Sequence, residues 1–361
     1  MKAEQSKQRG RVLLTVSGTI PPDISAQIAE GRRPRADYLE LARGLNADIL
    51  DYAKARAGAG RFARALERLA GSNLVLAYAT WKLRTQYEVI LTDGEQIGLP
   101  LAALMKIARG DRPRHYMITH IISVPKKALI IDFLRLHSHI DAFIVYSRWQ
   151  KRFIQDRWRV ADNRVLFSPF MVDDLFFAPG KVEPQPSLRP TICAVGLERR
   201  DYPTLLKAVE GLDLNVVIAA ASPWSRRKDT TAGQRLPGNV TVREYSQFSL
   251  RQLYADARLV VMPLEPVDFQ AGVTAILEAM AMGKAVICSR VPGQTDVIVE
   301  GENGTYVTPG DPRALREEIL RLCDRPEETA RLGSNGRKLV EQEMNLDHYV
   351  NRLAAFLKSS L

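Results

Sequence analysis

The feature that most restricts the fold of this chain is an alternation of strands and helices that runs through the sequence twice. Short apolar segments typical of buried strands alternate with helical patterns of roughly 10–15 residues. The two series are separated by Ala178–Pro190, which holds four prolines in 13 residues and shows no periodicity. Such alternation implies βαβ units, and it predicts an α/β fold with two Rossmann-like domains of parallel, doubly wound sheet facing each other across a cleft.

The two series supply the boundaries of the predicted elements. Strands are predicted at Arg11–Ser17, Asp48–Asp51, Tyr87–Thr92, His115–His120, Asp141–Tyr146, Arg164–Ser168, Thr191–Val195, Leu214–Ala220, Val240–Arg243, Leu259–Leu264, Ala285–Ser289 and Thr305–Thr308. Helices are predicted at Ala36–Leu45, Arg61–Leu69, Leu74–Leu83, Leu99–Ala108, Lys126–Leu136, Arg148–Trp158, Tyr202–Gly211, Leu250–Ala257, Gly272–Met282, Pro312–Cys323, Glu327–Glu341 and Asp347–Lys358. Ser249 and Asp311 are predicted to cap helix starts. The predicted domains are residues 1–180 and 181–345, with a C-terminal helix at 346–361 that packs back on the first domain.

Composition excludes several classes of protein. The chain has 361 residues, of which 46% are hydrophobic and 25% charged, and these values are typical of a globular protein. The sequence holds no stretch of about 20 uncharged apolar residues, and its start lacks the apolar core of a signal peptide. These features predict a cytoplasmic protein, with peripheral contact on the inner face of the membrane as an open alternative. Cys193, Cys288 and Cys323 have no metal-ligand spacing and are predicted to be reduced thiols of the core.

The net charge of +10 is carried by the first half of the chain. Residues 1–180 hold 28 Lys and Arg against 18 Asp and Glu, whereas residues 181–361 hold 23 of each. This asymmetry favours an anionic partner such as a membrane surface, a phosphorylated acceptor or nucleic acid. The segment Arg148–Arg159 interleaves aromatic and basic residues, but a surface helix with one packed side explains that pattern better than a nucleic-acid site does. A solvated basic face without a specific partner is equally compatible.

One segment of the second series has the properties of a phosphate site. Gln270–Gly283 (QAGVTAILEAMAMG) begins soon after an apolar strand and opens an amphipathic helix at a turn of small residues. The first backbone N–H groups of a helix have no partner within it, and its N-terminus carries about half a positive charge. Gly272, Val273 and Thr274 are therefore predicted to present backbone donors to an anion. A βα unit with its apolar residues in the core accounts for the rest of the segment.

Three further side chains follow predicted strands of the second series and complement this helix start. Arg199 and Arg200 supply fixed charges and forks of donors that suit phosphate oxygens. Glu278 offers an acceptor for the two hydroxyls of a ribose, as acidic residues do in dinucleotide sites. A nucleoside diphosphate would use the helix start, the arginines and the carboxylate together.

The order of these motifs resembles that of a known family. The donor-binding half of the retaining GT-B glycosyltransferases called glycosyl transferases group 1 is similar to Ala194–Val209, Asn239–Leu264, Gln270–Ile298 and Glu302–Ile319. A weaker similarity in the first domain runs through Tyr87–Gly98, His115–His120 and Phe167–Gly180. The resemblance implies a GT-B-like fold in which residues 1–180 form the acceptor-side domain and residues 181–345 bind the nucleotide sugar.

The resemblance also implies roles for individual residues. It places Arg199 and Arg200 on the diphosphate of the donor, the amides of Gly272, Val273 and Thr274 on the same phosphates, Glu278 on the ribose, Tyr245 beside the base and His120 at the donor sugar. Gly18, which follows the first strand, is assigned to the donor site as well, and Asp93 and Glu95 to the acceptor side. His120, Arg199 and Arg200 are the residues predicted to act in catalysis.

One position departs from the family pattern. The family has Glu-x7-Glu, in which the first Glu contacts hydroxyls of the donor sugar, and this chain has Gln270 at that position. A glutamine donates and accepts hydrogen bonds but carries no charge, so it cannot act as a base. We expect this position to influence the choice of donor sugar.

The predicted function is a retaining, hexosyltransferase-like glycosyltransferase of carbohydrate biosynthesis that moves a sugar from a nucleoside diphosphate to an acceptor hydroxyl. The sequence lacks an Asp-x-Asp motif, since Asp173 and Asp174 are adjacent, and neither a metal nor a cofactor is expected beyond the nucleotide sugar as co-substrate. The acceptor is expected to be anionic or membrane-associated. Two alternatives stay open: a sugar-nucleotide epimerase or hydrolase of the same fold, and a catalytically silent nucleotide-sugar-binding protein.

Overall fold

The structure analysed is a computed structural model of the chain. It describes residues 12–58, 67–68, 71–108, 110, 112–185, 187–220, 231 and 234–359. The predicted helix Arg61–Leu69 lies outside these residues except for positions 67 and 68, which are helical. Within the described part of the chain, no helix combines the length and the apolar character needed to cross a bilayer.

The first series of strands forms one parallel sheet. Its six strands have the order β2-β1-β3-β4-β5-β6. The strands are β1 (Val12–Thr15), β2 (Ala47–Leu50), β3 (Val89–Thr92), β4 (Arg114–Thr119), β5 (Ala142–Val145) and β6 (Val165–Phe167). β1, β3 and β5 are buried along their whole length, as expected for parallel strands covered by helices on both faces.

Helices connect these strands at the predicted places. They are α1 (Ile24–Ala29), α2 (Asp37–Leu45), α3 (Ser72–Leu83), α4 (Glu95–Ile107), α5 (Pro125–Leu134) and α6 (Arg148–Trp158), and residues 52–58 are helical too. α4 begins at Glu95, four residues before the predicted start at Leu99. Gly94 precedes the helix, and Pro100 lies inside it near its start. A proline within the first two turns of a helix removes few backbone hydrogen bonds, so it does not mark the helix start here.

The second series forms another parallel sheet. Its six strands have the order β12-β11-β10-β7-β8-β9, which is the doubly wound order of a Rossmann fold. The strands are β7 (Thr191–Val195), β8 (Asn215–Ala219), β9 (Val240–Arg243), β10 (Leu259–Met262), β11 (Ala285–Ser289) and β12 (Thr305–Val307). The prediction of an α/β fold with two Rossmann-like sheets is therefore confirmed.

The helices of the second series also match their predicted segments closely. They are α7 (Tyr202–Val209), α8 (Gln247–Asp256), α9 (Val273–Ala281), α10 (Pro312–Cys323), α11 (Pro326–Gln342) and α12 (Leu346–Ser359). Asp311 caps α10 as predicted, by accepting from two backbone N–H groups. The prediction for Ser249 is wrong, because Ser246 caps α8 and its hydroxyl accepts from the backbone N–H of Ser249.

Two compact units divide the chain. The first comprises Met1–Ser25, Ala36–Ser168 and Val350–Leu361, and the second comprises Ala26–Arg35 and Pro169–Tyr349. Residues 169–180, assigned to the first domain by their position before the prolines, thus group with the second unit. The last turns of α12 pack within the first unit, where the rings of Phe356 and Tyr116 lie 6.0 Å apart.

The core of each unit is the apolar interior between its sheet and its helices. In the second unit, Cys193 and Cys288 lie on β7 and β11 with no exposed surface, and burial raises the pKa of each thiol to about 12. Cys323 is half-buried at the end of α10, and all three cysteines are free. Thiols with such pKa values stay protonated and unreactive, which agrees with the predicted role as reduced core residues.

Candidate nucleotide-sugar site

The strand order of the second unit places its ligand crevice at a defined point. The order reverses between β7 and β10, and open α/β sheets bind ligands outside the carboxyl ends of the strands at such a point. The segments that follow these two strands are joined there: Arg200 forms an antiparallel backbone bridge with Leu264. The backbone N–H of Glu265 donates to the carbonyl of Arg199 at 3.0 Å. Two of the predicted phosphate ligands therefore lie at the switch point of the sheet.

The Arg200 side chain is held inside this point. Only 4% of the residue is exposed. Its Nε donates to the carbonyl of Val195 at 2.8 Å, and Nη1 donates to the carbonyl of Glu198 at 2.6 Å. Burial lowers the pKa of the guanidinium, but an arginine keeps its charge at any physiological pH. A permanent positive charge is thus fixed at the carboxyl end of β7.

Two glycines leave room for this guanidinium. Gly196 and Gly272 both have left-handed backbone, with φ of +97° and +79°. A Cβ at Gly196 would lie 2.7 Å from Nη2 of Arg200, and a Cβ at Gly272 would lie 3.3 Å from both terminal nitrogens. The guanidinium therefore packs against the residue that begins α9, and the two anion-binding features predicted separately from the sequence form one cluster.

The N-terminus of α9 is not capped by a side chain and is open to a ligand. Gly272 is the N-cap, and no side chain caps the helix. Thr274 is exposed, whereas Val273 is buried, so the helix start reaches the protein surface on one side only. Uncapped N–H groups beside a fixed cation provide the donors and the charge that a phosphate group needs.

The two predicted arginines are not equivalent. Arg199 has a left-handed backbone with φ of +56°, and its Nη1 forms an ion pair with Glu265 at 3.0 Å. Both side chains of this pair are about one-third exposed. Of the two, only Arg200 places its guanidinium against the side of Gly272 where a Cβ would project, and the roles of both arginines as diphosphate ligands stay predictions.

Glu278 lies further along α9 and is almost fully buried. Its Oε2 accepts from the hydroxyl of Tyr254 at 2.8 Å, and burial raises the pKa of the carboxyl group to about 7. Burial and the neighbouring carboxylate together raise the pKa of Tyr254 well above its usual value, so the tyrosine is the donor. Sequence reasoning missed Tyr254, since it lies on α8 and no local pattern links it to Glu278.

Two glutamines of this unit carry buried amides without partners. The Oε1 and Nε2 atoms of Gln270 and of Gln294 are inaccessible to solvent and make no hydrogen bond within the described residues. Their loops are in contact, because a Cβ at Gly293 would lie 2.3 Å from the backbone of Phe269. An unsatisfied buried amide costs about 1–3 kcal/mol, so this arrangement has unused capacity for hydrogen bonding. The sequence drew attention to Gln270, but it gave no reason to single out Gln294.

Tyr245 lies where the sequence placed it, in the loop after β9. It is half-buried and packs against the apolar core of the second unit, and burial raises the pKa of its hydroxyl. Tyr245 also borders a surface cavity of about 280 Å³, which is lined by the first residues of β7 and β8 and by residues between 238 and 243, along the length of β9. A second cavity of about 580 Å³ lies beside residues 184–190. Neither cavity includes Arg200, Gly272 or Glu278, and ligands of such sheets bind at the carboxyl ends of the strands beside the switch point.

In the first unit, His120 and Glu95 are parts of one arrangement. The ring Nε2 of His120 donates to the carbonyl of Asp93 at 2.9 Å, because a carbonyl oxygen can only accept. Glu95 accepts from the backbone N–H groups of His120 and Ile121 and from the ammonium of Lys127, at 2.7–3.0 Å. The residue is 2% exposed, yet the charges of His120 and Lys127 hold its pKa below the usual value. Glu95 was expected on the acceptor side, and it is a buried anchor for the loop that carries His120.

Asp93 is tied to the end of β1. Its carboxylate accepts from the hydroxyl of Thr15 at 3.1 Å and from the hydroxyl of Ser17 at 2.7 Å. Burial raises the pKa of Asp93, and burial together with the neighbouring charge of Asp93 raises that of Asp37. Asp37 is the first residue of α2, and sequence reasoning missed it because Asp93 lies 56 positions away. Gly18 lies beside this cluster, where a Cβ would meet nothing within 4 Å, so the chain itself does not require glycine there.

The adjacent aspartates that were considered as a metal motif have other partners. Asp173 accepts from the backbone N–H and the Nε of Arg35 at 2.8 and 2.9 Å. Across the described residues, no three His, Cys, Asp or Glu side chains are grouped closely enough to hold a metal ion. Independence of metal stays a prediction.

Part of the second unit is similar in sequence to known glycosyltransferases. Residues 189–325 match the model of the family described as glycosyl transferases group 1. The O-antigen chain mannosyltransferase C of Escherichia coli is 29% identical over 164 residues, which are 43% of each chain. The D-rhamnosyltransferase WbpZ of Pseudomonas aeruginosa is 30% identical over 144 residues, which are 38% of this chain and 36% of WbpZ. The chain thus matches less than half the length of these curated relatives.

Solved structures resemble the whole chain. Sucrose-phosphate synthase from Thermosynechococcus elongatus has a TM-score of 0.72 at 16% identity and covers 98% of this chain and 99% of its own. HepE of Anabaena, solved in complex with UDP-glucose, has a TM-score of 0.69 at 16% identity and covers 97% and 100%. At such identities the likeness shows the fold alone, and that fold is GT-B. The resemblance inferred from the sequence is confirmed in two respects: the chain has the GT-B fold, and residues 189–325 of its second unit match the model of the glycosyl transferases group 1 family.

Proposed function

We propose that this protein is a retaining glycosyltransferase that moves a sugar from a nucleoside diphosphate to an acceptor hydroxyl. The observation that carries the proposal is the contact between the Arg200 guanidinium and Gly272 at the uncapped start of α9. A fixed charge and free backbone donors at the switch point of a Rossmann-like sheet suit a diphosphate. The relatives named above transfer mannose and rhamnose, and this supports the assignment of the reaction type.

In this reaction the arginine and the helix start act on the leaving group. The bond between the anomeric carbon and the diphosphate oxygen breaks, and negative charge develops on the nucleoside diphosphate. Arg200 and the N–H groups of α9 are already oriented, so they stabilise that charge without reorganising. One preorganised donor of this kind contributes roughly 3–4 kcal/mol to the stabilisation of a transition state.

Glu278 and Tyr245 would hold the nucleoside part of the donor. A carboxylate accepts from both hydroxyls of a ribose, and Tyr254 keeps Glu278 oriented by donating to Oε2. Because the pKa of Glu278 is raised to about 7, ribose hydroxyls that donate to the ionised form would lower this pKa on binding. Binding of the nucleotide is therefore expected to release a proton near neutral pH.

His120 and Gln270 are proposed to contact the donor sugar. HepE, which shares the fold, was solved with UDP-glucose and also with UDP and glucose, and these complexes support a nucleoside-diphosphate sugar as the co-substrate. Gln270 offers a neutral donor and a neutral acceptor that have no hydrogen-bond partner among the described residues. An amide of this kind suits the hydroxyl groups of an uncharged sugar.

Retention requires the acceptor to attack from the face that the diphosphate leaves. The acceptor oxygen forms the new bond to the anomeric carbon, and the hydroxyl proton goes to the departing phosphate oxygen, which is the base on that face. We propose that the reaction needs no metal, because Arg200 and the α9 start supply the positive charge at the diphosphate. The basic first half of the chain favours an anionic or membrane-associated acceptor.

The test of this function is a screen followed by product analysis. Thermal-shift measurements with UDP, GDP, ADP and their sugars should identify one nucleotide that stabilises the protein. The matching nucleotide sugar is then incubated with and without candidate acceptors, and products are separated and their anomeric configuration determined. Transfer with retained configuration supports the proposal. An epimerised or hydrolysed sugar would assign the protein to the alternative of the same fold, and binding without turnover to the silent alternative.

A second test addresses Glu278 directly. Glu278→Ala should weaken binding of the ribose-bearing diphosphate about tenfold or more while leaving pyrophosphate binding unchanged, since only the former carries the hydroxyls. Glu317→Ala is the matched control, because Glu317 is an exposed carboxylate whose partner is Arg313. Equal losses for both ligands would show that Glu278 acts on the structure of the site and not on the ribose.

A further inference from the structure

The first unit presents an apolar helix face to solvent. On α5, four large apolar side chains are exposed: Leu129 by 62%, Ile130 by 49%, Phe133 by 88% and Leu134 by 41%. The opposite side of the helix is buried through Ala128 and Ile131. A surface helix of a globular protein normally turns polar residues to water, so this ten-residue helix is apolar on both sides.

The end of α4 extends this surface. Ile107, the last residue of α4, is 81% exposed. It lies beside the end of α5, because Nζ of the preceding Lys106 donates to the carbonyl of Leu134 at 2.7 Å. We call the set Ile107, Leu129, Ile130, Phe133 and Leu134 the α5 face.

Across the described residues, no other segment of six positions holds four large exposed apolar side chains. Single exposed residues such as Leu188, Leu236 and Val299 lie far apart in the sequence of the second unit, and isolated cases of this kind are ordinary. A contiguous apolar surface on one helix indicates an interaction site.

The charges around the α5 face are predominantly positive. Lys126 in the first turn of α5 and Arg135 directly after its end are exposed, and Lys106 lies at the end of α4. The one acidic residue of α5, Asp132, is neutralised by an ion pair with Arg157 at 2.6 Å. Between residues 95 and 159 the sequence holds 12 Lys and Arg against 5 Asp and Glu, so this segment carries most of the excess charge of the protein.

We propose that the α5 face docks on the surface of an anionic lipid bilayer. Apolar side chains of an interfacial helix enter the boundary between headgroups and acyl chains, and basic residues at its edges contact anionic headgroups. Both parts are present here in the required arrangement, because the lysines and the arginine lie at the ends of α5 and α4 while the apolar residues lie between them. Long basic side chains can reach headgroups from these positions.

Charge complementarity favours a bilayer over the other occupants of an apolar face. A second copy of this chain would bring the same basic residues together, and like charges across an interface oppose association. Nucleic acid would use the charges but would leave the five apolar residues in water. The basic helix α6, which the sequence suggested for such a contact, buries Ile154 and Trp158 in the core and offers no comparable apolar surface.

The test is co-sedimentation of the full chain with lipid vesicles. Wild-type protein should bind vesicles that contain phosphatidylcholine and phosphatidylglycerol in equal parts, and it should bind vesicles of phosphatidylcholine alone at least about tenfold more weakly. The double variant Leu129→Ser/Phe133→Ser should lose about tenfold or more of the binding to the anionic vesicles, because two exposed apolar groups no longer enter the interface. Lys126→Glu/Arg135→Glu should weaken binding to the same vesicles and reduce its dependence on salt.

Leu175→Ser/Leu188→Ser is the matched control. These residues are exposed by 58% and 106%, so the substitution removes similar apolar surface from the second unit, and vesicle binding should not change. All variants alter exposed side chains, and thermal unfolding should confirm that each one folds like the wild type.

Three results would overturn the proposal. If the wild-type protein stays in the supernatant with both kinds of vesicle, it does not bind lipid bilayers. If Leu129→Ser/Phe133→Ser binds the anionic vesicles as well as the wild type does, the binding is due to charge alone and not to the apolar residues. A wild-type dimer in light scattering that the same double variant converts to monomers, without vesicle binding, would assign the face to self-association. None of these outcomes depends on glycosyl transfer, so failure here leaves the proposed function standing.

Discussion

The guanidinium of Arg200 fills the space into which a side chain at Gly272 would project. A Cβ at that glycine would lie 3.3 Å from Nη1 and from Nη2, and 2.8 Å from the sulfur of Met262. Gly272 ends the loop after β10, and Arg200 lies in the loop after β7. The two residues are thus fitted to each other at the switch point. The positive charge of Arg200 therefore lies next to the uncapped N-terminus of α9.

Gly272→Ala tests that fit. The substitution places a Cβ in a left-handed backbone with φ of +79° and against two side chains, so we expect a loss of roughly 1–3 kcal/mol in the free energy of unfolding. Nucleotide affinity should fall with it, because Arg200 must move. Urea unfolding and calorimetric titration measure the two effects. Gly238→Ala, at a glycine with open space and ordinary φ, should change neither one, and equal behaviour of the two variants would contradict the account.

The buried carboxyl of Glu278 predicts a dependence of stability on pH. Its pKa is raised from 4.5 to about 7, so the folded state holds a proton that the unfolded state releases between these values. The free energy of unfolding should therefore fall as pH rises from about 4.5 to about 7, and the loss should be complete above that range.

Glu278→Gln removes the titrating group while keeping an acceptor for Tyr254. Relative to the wild type, we expect this variant to gain about 3 kcal/mol in unfolding free energy between pH 4.5 and pH 8. Urea unfolding at a series of pH values measures the difference. Parallel pH profiles of wild type and variant would show that Glu278 ionises normally in the folded protein.

Glu95 predicts the opposite pH dependence in the first unit. Its pKa is held below the usual value, so its stabilising contribution is present above about pH 4.5 and is lost as pH falls below it. Glu95→Gln removes charge from a buried anchor of two N–H groups and one ammonium, and we expect a loss of about 2–4 kcal/mol at pH 7.

The control for this variant is Glu317→Gln. Glu317 forms an exposed ion pair with Arg313 at 2.9 Å, and solvent screening leaves such pairs with little effect on stability. Chemical unfolding of both variants at pH 7 provides the comparison. If Glu95→Gln lowers the free energy of unfolding by less than about 1 kcal/mol, the loop of His120 does not depend on this anchor.

Gln270→Glu tests the position at which the chain departs from its family. A carboxylate there should change the relative kcat/KM for different sugars on one nucleotide by about tenfold or more, because a charged acceptor replaces a neutral amide. The affinity for the nucleoside diphosphate without sugar should stay within about twofold. If Gln270→Glu lowers kcat/KM equally for every sugar and lowers the affinity for the nucleoside diphosphate by the same factor, Gln270 does not face the sugar.

The sequence predicted the scaffold better than the contacts of the site. Strand positions followed from apolar runs such as Leu259–Leu264, because a parallel strand buried on both faces needs no alternation. The helix start at Gly272 was also recognisable, since small residues and a preceding strand mark it locally. These features depend on neighbours in sequence.

The remaining features depend on neighbours in space. Nothing in the spacing shows that Arg200 turns inward while Arg199 pairs with Glu265, or that Tyr254 binds Glu278. The burial of Glu95 was missed for the same reason, because its partners lie 25 to 32 positions later in the chain. Side-chain direction at a strand end is set by tertiary packing, and a single sequence does not record it.

The most direct test of the central claim is calorimetric titration of the wild type, Arg200→Lys and Arg199→Ala with the nucleoside diphosphate found by thermal shift. Lysine keeps the charge but loses the fork of donors. We expect micromolar binding by the wild type, a loss of affinity of about tenfold or more in Arg200→Lys, and a smaller loss in Arg199→Ala. No binding of UDP, GDP or ADP by the wild type, or unchanged affinity in Arg200→Lys, would contradict it.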